Sequence, residues 1–280
     1  MLIIIPTRDQ HEVLRCCVES VLEKTDYDNF KIRILDNSSV APETLHYFEQ
    51  LSEHLKVEIF ACPGVFNFSR INNDGVRGLQ ADLFVFLNND IEVIKENWLS
   101  ELVALAQLPN TGVVGAKLIY PDGRLQHAGV VLGVGGIANH AFYQERADTR
   151  GYRDRAVLLQ NYSAVTGACM LIPRKIFELV QGFNQEDLPV AFSDVDLCLR
   201  IGELGYDIVW TSYAQLLHHE SLSRGIHTGN EEQRLIFEKH VKYMSERWAP
   251  LLERDPFYNV NATLAQASFQ PAFPPRIPRY

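Results

Sequence analysis

The amino-acid sequence predicts an α/β fold with a doubly wound sheet. Its first half alternates short apolar runs with segments of helical periodicity, the order of elements that places helices on both faces of a mostly parallel sheet. The two strongest runs, at residues 2–5 and 83–87, are unbroken, as in strands buried on both faces. Polar residues end two of the strands, at Asp36 and at Asn88 to Asp90, where the ligand crevice of such a sheet lies.

The elements follow in a regular order through the first half of the chain. Strands are predicted at residues 2–5, 32–35, 57–60 and 83–87, and amphipathic helices over 13–22, 45–55 and 98–108. The second half is less regular, with strands predicted at 165–172, 208–211 and 214–218 and a helix at 194–204 closed by Gly205. Pro173 suits the first turn of a further helix, and a late helix presents the apolar residues Phe237, Val241, Met244 and Trp248.

Composition excludes several classes of protein. A length of 280 residues with 46% hydrophobic side chains allows a substantial core. The net charge of -9, without a basic stripe, argues against a nucleic-acid partner. No apolar run approaches the roughly 20 residues that span a bilayer. The five cysteines include no C-x-x-C pair and indicate reduced residues, so we expect a cytoplasmic protein.

Three polar segments stand where strands end or helices begin: Asn88 to Asp90, Asp194 to Asp196, and His218 to Glu220. Oxygen ligands with one imidazole suit Mn²⁺ or Mg²⁺, and a carboxylate can serve as a general base. Each segment also has a structural interpretation. Asn-Asn-Asp is a common turn composition, Ser193 with Asp196 matches a helix capping box, and a histidine pair at a strand end is more often structural.

Several separated motifs resemble those of family 2 glycosyltransferases, in the same order along the chain. The nucleotide-binding half of that family resembles IIIPTRD at residues 3–9, LDNSS at 35–39 and FLNND at 86–90. Its middle and acceptor half resemble TGACMLI at 166–172, GFN at 182–184, FSDVDLCLR at 192–200, GY at 205–206 and HHES at 218–221. The resemblance covers about residues 1–225 and is close to modules of bacterial cell-surface polysaccharide and O-antigen synthesis, some of them rhamnosyltransferases.

The resemblance implies a GT-A-like mixed sheet flanked by helices. We expect one domain at residues 1–250, with a nucleotide-binding lobe at about 1–120, an acceptor lobe at about 121–230 and a C-terminal helix at 231–250. Residues 251–280 form a proline-containing tail, which from residue 268 onward is expected to trail over the surface or to be disordered. Because the chain opens directly on its first strand, we hypothesise that it is one module of a longer protein.

The resemblance also implies an activity, an inverting transfer of a hexose from a nucleoside-diphosphate sugar to a hydroxyl of a glycan or lipid-linked acceptor. UDP and dTDP sugars are favoured as donors, while GDP sugars stay open, since a carboxylate facing an N–H edge suits uracil, thymine or guanine alike. Mn²⁺ or Mg²⁺ would assist the reaction. A lipid-linked acceptor would place the protein at the inner face of the cell membrane, in peripheral contact with it.

Family roles carry over to the residues of the metal and catalytic motifs. Asp90 ends a D-x-D-like motif and would bind the metal, whereas Asn88 stands where many relatives carry Asp. Asp194 matches the aspartate that acts as general base, although Ser193 replaces the glutamate of many relatives. His218 matches a late metal-binding histidine better than His219 does, and the choice between them stays open.

The remaining roles concern the nucleotide sugar. Asp36 would accept a hydrogen bond from the base or the ribose. Arg8 and Arg224 are candidates for holding phosphate oxygens, and both are equally candidates for solvated surface charges. The nucleotide-sugar site is therefore predicted to contain Pro6, Thr7, Arg8, Asp36, Asn73, Asn88, Asn89, Asp90 and Arg224. Residues 126–129, Gln-His-Ala-Gly, recur in close relatives, and no role beyond an acceptor contact is predicted for them.

Two other functions stay open. A sugar-phosphate nucleotidyltransferase is also α/β and metal-dependent, but it needs a glycine-rich loop after the first strand, and the first glycine here is Gly64. A non-catalytic nucleotide- or glycan-binding module would be favoured by loss of the candidate base or metal ligands. Asp90, Asp194 and His218 are all present.

Overall fold

A computed structural model describes residues 1–78, 80–219 and 231–276 of the chain. The helices are α1 (His11–Glu23), α2 (Pro42–Ser52), α3 (Phe68–Gly75), α4 (Trp98–Ala106), α5 (Arg174–Leu179), α6 (Ser193–Glu203), α7 (Glu231–Arg247) and α8 (Ala249–Glu253). The strands are β1 (Leu2–Thr7), β2 (Lys31–Asp36), β3 (Val57–Ala61), β4 (Leu83–Leu87), β5 (Ile91–Val93), β6 (Thr111–Ile119), β7 (Leu125–His127), β8 (Val130–Leu132), β9 (Ala138–His140), β10 (Gln160–Asn161), β11 (Cys169–Pro173) and β12 (Asp207–His218).

The main sheet is mixed, with the order β10-β12-β6-β11-β4-β1-β2-β3. Strands β1 to β4 run parallel, and the chain moves outward from β1 to β3 before returning to place β4 on the other side of β1. The strand order therefore reverses between β1 and β4, where a crevice opens at the carboxyl ends of the strands. Strand β5 pairs with the end of β12, and β8 and β9 form a separate hairpin.

Alternate residues of the central strands fill two cores, one on each face of the sheet. Ile3 and Ile5 of β1 pack with residues of α1, α2 and α4, whereas Leu2 and Ile4 pack with residues of α3, α5, α6 and α7. All four side chains are almost completely buried. Each such side chain contributes roughly 1.5–3 kcal/mol through removal from water, which explains why the sequence has an unbroken apolar run here.

The predicted doubly wound α/β fold is confirmed, with three local differences. The strands predicted at 208–211 and 214–218 are one strand, β12, with an irregularity between Trp210 and Gln215 where its pairing with β6 shifts. The strand predicted at 165–172 begins only at Cys169, because the preceding backbone turns toward α6 and Gly167 N–H donates to Asp194. Helix α2 ends before Leu55, which is 96% exposed.

The prediction that residues from 268 onward trail over the surface is wrong for the start of that segment. Ser268 and Phe269 are buried, and the Phe269 ring contacts Phe142, Tyr162 and Tyr258. An aromatic side chain among prolines thus joins the core. Within residues 1–78, 80–219 and 231–276, no helix is long and apolar enough to cross a bilayer.

Candidate functional site

The loops after β1 and β2 are tied together at the edge of the crevice. Thr7 lies opposite Asp36 in the parallel register of these strands. Ser39 links the two loops, because its hydroxyl accepts from Asp9 N–H and its own N–H donates to the Asp36 carboxylate, both at 2.8 Å. Asn89, after β4, donates to the Thr7 hydroxyl at 3.0 Å. Three strand ends therefore meet through polar side chains.

Asp90 and His218 form a buried pair across the ends of β4 and β12. Their Oδ1 and Nε2 atoms are 3.1 Å apart, and the side chains are 3% and 5% exposed. Antiparallel pairing of β5 with β12 sets this contact, since Ile91 lies opposite His218. Nδ1 of His218 is buried without a hydrogen-bond partner in the part of the chain that the structure describes. A carboxylate beside an imidazole is a donor set that suits Mn²⁺.

Asp194 lies in the first turn of α6, where a carboxylate is stabilised by the positive end of the helix dipole. Its Oδ2 accepts from Gly167 N–H at 2.8 Å and its Oδ1 accepts from Val195 N–H at 2.9 Å. Two backbone donors thus fix the plane of the carboxylate. A Cβ atom at position 167 would lie 3.3 Å from Asp194 Cβ, so a glycine there allows the close approach.

The Asp194 carboxylate, Asn88 and His218 line one cavity of about 270 Å³. Three polar residues of the β7–β9 region, Gln126, Asn139 and His140, also line this cavity. The structure therefore brings together the residues predicted as base and metal ligand, which are more than 100 positions apart from Asn88 in the sequence. Because several polar side chains converge on it, this cavity is a candidate ligand site.

His140, which lines this cavity, is paired with His127, a residue of the sequence motif at 126–129. His127 is completely buried, and its Nδ1 lies 2.8 Å from Nδ1 of His140, so one ring donates and the other accepts. Burial lowers the pKa of His127 well below its usual range, and the neighbouring His140 and His218 lower it further. His127 is therefore neutral, and its Nε2 accepts from Thr166 N–H at 3.4 Å.

Some predicted residues lie apart from this group. The Asn73 side chain has a structural role. Its amide donates to Phe183 C=O and accepts from Phe183 N–H, both at 2.9 Å. It lines a larger cavity of about 830 Å³, together with Arg200, whose guanidinium is already bonded to Asp196 and to two carbonyl groups. Neither the predicted base, Asp194, nor the predicted metal ligands, Asp90 and His218, are among the residues that line this larger cavity.

Two predicted residues flank the crevice at the end of β1. Pro6 is half-buried in the strand opposite Leu35, and Arg8 is exposed just after it. Arg224 lies outside the described residues. The roles predicted for these three residues in nucleotide binding therefore stay predictions.

The alternative interpretation of Ser193 and Asp196 as a capping box at the start of α6 is wrong. The Ser193 hydroxyl donates to Val190 C=O and caps no N–H of the helix. Asp196, 0% exposed, instead accepts from Arg200 Nε at 2.7 Å and from Trp248 Nε1 at 3.0 Å. The second aspartate of the motif thus joins α6 to the end of α7, a contact that local spacing could not reveal.

Comparison with known proteins identifies relatives over most of the chain. The model of the family described as "Glycosyl transferase family 2" matches residues 2–180. "Uncharacterized protein y4gI" of Sinorhizobium fredii is 48% identical over 268 residues, which are 95% of this chain and 29% of that protein. "O-antigen biosynthesis protein RfbC" of Myxococcus xanthus is 37% identical over 265 residues, 94% of this chain and 20% of that protein. The chain thus spans less than a third of the length of these relatives.

A solved structure shares the fold. The mannosyltransferase PcManGT from Pyrobaculum calidifontis, in complex with GDP-Man and Mn²⁺, superposes with a TM-score of 0.62 over 89% of this chain and 64% of its own. Sequence identity is 14%, so this likeness concerns the fold alone. The predicted GT-A-like architecture is thereby confirmed.

Proposed function

The chain belongs to glycosyl transferase family 2, and we propose that it transfers a sugar, with inversion, from a nucleoside-diphosphate sugar to a hydroxyl of a glycan or lipid-linked acceptor. One observation carries the proposal. A single cavity is lined by the Asp194 carboxylate, by Asn88 and by His218, with Asp90 in contact with His218. Transfer needs a proton acceptor and a site for the departing diphosphate close together, and this arrangement offers both.

The crevice beside β1 and β2 is the proposed nucleoside site. Asp36 stands at a strand end with one carboxylate oxygen held by Ser39 N–H, which orients the group toward a donor of a base or ribose. Thr7 and Asn89 link the crevice to the Asn88–Asp90 segment, where the diphosphate would lie. Arg8, exposed at the rim, suits phosphate oxygens. We favour UDP or dTDP sugars as donors.

Asp90 and His218 are the proposed metal ligands. Their buried pairing, and the buried Nδ1 of His218 without a partner among the described residues, fit a site completed by a cation and ligand oxygens. When bound, Mn²⁺ or Mg²⁺ would offset the negative charge that develops on the diphosphate. The contribution of the chain is to hold both side chains by the β5–β12 pairing and to keep them out of water.

Asp194 is the proposed general base. The acceptor hydroxyl attacks the anomeric carbon from the side opposite the diphosphate, its proton passes to the Asp194 carboxylate, and the bond between the anomeric carbon and the diphosphate oxygen breaks. The N–H groups of Gly167 and Val195 orient the carboxylate and leave its remaining lone pairs for the hydroxyl.

Gln126, Asn139 and His140 are the proposed acceptor contacts, because they line the same cavity and offer donors and acceptors to sugar hydroxyls. The relative named for O-antigen biosynthesis supports a role in surface polysaccharide synthesis. Membership of this family argues against a sugar-phosphate nucleotidyltransferase. A non-catalytic binding module is one outcome of the test below.

Calorimetric titration of UDP, dTDP and GDP into the protein, with and without Mn²⁺, tests the donor site. We expect metal-dependent binding of one nucleotide, weakened at least about tenfold in Asp90→Asn. Asp82→Asn is the matched control, since Asp82 is exposed just before the other end of β4 and should leave binding unchanged. Equal weakening in both variants, or binding indifferent to Mn²⁺, would remove the metal assignment.

Transfer is tested next. The protein is incubated with a sugar nucleotide that carries the nucleobase identified by calorimetry and with an oligosaccharide or lipid-linked acceptor. The anomeric configuration of the product, read by NMR, should be opposite to that of the donor. Retention would contradict the inverting mechanism. Nucleotide binding without donor hydrolysis or transfer would instead support a binding module.

A further inference from the structure

A cluster of three side chains could hold a metal ion, and two of its members lie close to Asp90 and His218 in the sequence. It consists of Cys16 on α1, Glu92 on β5 and His219 directly after β12. One potential ligand atom of each lies within 4.8 Å of the other two, and His219 Nε2 is 3.1 Å from Glu92 Oε2. All three are half-buried, and none is among the residues lining the Asp194 cavity.

Hydrogen bonds connect the three elements that carry the cluster. Val93 N–H of β5 donates to the Ser20 hydroxyl of α1 at 3.0 Å. His219 N–H donates to Asp90 C=O at 2.8 Å and continues the β5–β12 ladder. The three side chains are therefore held near one another before any ion binds, which reduces the entropy that an ion would have to overcome.

The donor set has the chemistry of a zinc site. A thiolate, an imidazole and a carboxylate in tetrahedral zinc geometry place their donor atoms roughly 3.3–3.6 Å apart, so movements of about 1 Å would complete the site. Lys24 Nζ lies 3.3 Å from Glu92 Oε1, which leaves Oε2 for the ion. Lys24 also balances part of the negative charge of a thiolate and a carboxylate. Water would occupy the fourth position.

We propose that Cys16, Glu92 and His219 bind Zn²⁺ at a site separate from the Asp90–His218 pair. The thiolate gives the two sites different metal preferences. Soft sulfur selects zinc-like ions, whereas a carboxylate with phosphate oxygens suits Mn²⁺ or Mg²⁺. An ion here ties α1 to β5 and β12, the two strands that hold Asp90 and His218 in contact. The site depends on no assumption about glycosyl transfer.

Co²⁺ titration of the reduced, metal-free chain tests the proposal, because cobalt replaces zinc and reports thiolate ligation by absorption. We expect a near-ultraviolet thiolate-to-cobalt charge-transfer band at one equivalent, together with the visible bands of tetrahedral cobalt, both abolished by excess Zn²⁺. The charge-transfer band should vanish in Cys16→Ser, and Co²⁺ affinity should fall at least about tenfold in His219→Ala.

Two controls separate this site from other binding. Cys62→Ser, at a buried cysteine on another part of the chain, and Asp90→Asn should both retain the band. Circular dichroism of each variant checks that the chain is folded. The proposal is overturned by cobalt spectra of the unmodified chain without a thiolate band, or by an unchanged band in Cys16→Ser.

Discussion

Asp194→Asn is expected to stop transfer while leaving the fold and nucleotide binding in place. Loss of a general base typically lowers the rate by about 10²–10⁴-fold, which corresponds to about 3–5 kcal/mol of transition-state stabilisation. The structural cost is smaller. Both carboxylate oxygens accept a backbone N–H, and asparagine keeps one acceptor, so the N–H of either Gly167 or Val195 loses its partner at about 1–3 kcal/mol.

Asp196→Asn is the matched control, two residues further along α6. Its carboxylate is 0% exposed and accepts from both Arg200 and Trp248, so the substitution leaves a buried donor unpaired. Breaking such a pair costs about 3–5 kcal/mol of unfolding free energy. We expect Asp196→Asn to lower stability in urea denaturation but to keep turnover per folded molecule.

The assay measures turnover, nucleotide affinity by calorimetry and unfolding free energy on the same preparations. Asp194→Asn should lose turnover and no more than about 1–3 kcal/mol of unfolding free energy. Asp196→Asn should lose about 3–5 kcal/mol of unfolding free energy and keep its turnover per folded molecule. Retention of more than about a tenth of the turnover in Asp194→Asn would refute the assignment of the base, since even weak general bases contribute more. Lost turnover at unchanged stability in Asp196→Asn would mean that the roles of the two aspartates are reversed.

Three further expectations concern single side chains. His218→Ala should weaken Mn²⁺-dependent nucleotide binding at least about tenfold by calorimetry, and His219→Ala should weaken it far less. Equal losses of affinity in the two variants would contradict the assignment of His218, rather than His219, as the Mn²⁺ ligand. Asn73→Ala should lower unfolding free energy by about 2–3 kcal/mol in urea without changing nucleotide affinity, because two hydrogen bonds to Phe183 are lost. Burial lowers the pKa of His127 in the folded chain, whereas its pKa in the unfolded chain is about 6.5. Below that pH only the unfolded chain takes up the proton, so the free energy of unfolding should fall by about 1.4 kcal/mol per pH unit. In His127→Gln the free energy of unfolding, measured by urea denaturation below about pH 6.5, should lose this pH dependence. An unchanged slope would show that His127 is not its cause.

Local patterns were sufficient for the architecture. Unbroken apolar runs marked the buried strands, the 3.6-residue period marked α1, α2 and α4, and the positive φ of 85° at Gly205 agrees with its predicted place after α6. These features succeed because burial and backbone geometry act over a few residues. The motif at residues 88–90 lies at a strand end, where a crevice was predicted, and Asn88 lines the candidate cavity.

Pairwise contacts between distant parts of the chain were decided only in three dimensions. The sequence left His218 and His219 as alternatives, and the β5–β12 register assigned one to Asp90 and the other to Glu92. Asn73 matched a nucleotide position in the family, yet its amide closes the turn at Phe183.

The positions of Asp196 and of the C-terminal segment also depend on contacts between distant parts of the chain. The spacing of Asp196 from Ser193 is typical of a helix cap. The Asp196 carboxylate instead accepts from Trp248, which lies 52 positions away and is brought close by the packing of α7. Phe269 is buried because Tyr258, Tyr162 and Phe142 converge on it from three regions. Periodicity reports which side chains leave water, whereas the partner that each one meets depends on how strands register and helices pack. The sequence thus determined the sheet, the crevice and the candidate base, and the tertiary structure decided which polar groups face the cavity and which hold the fold together.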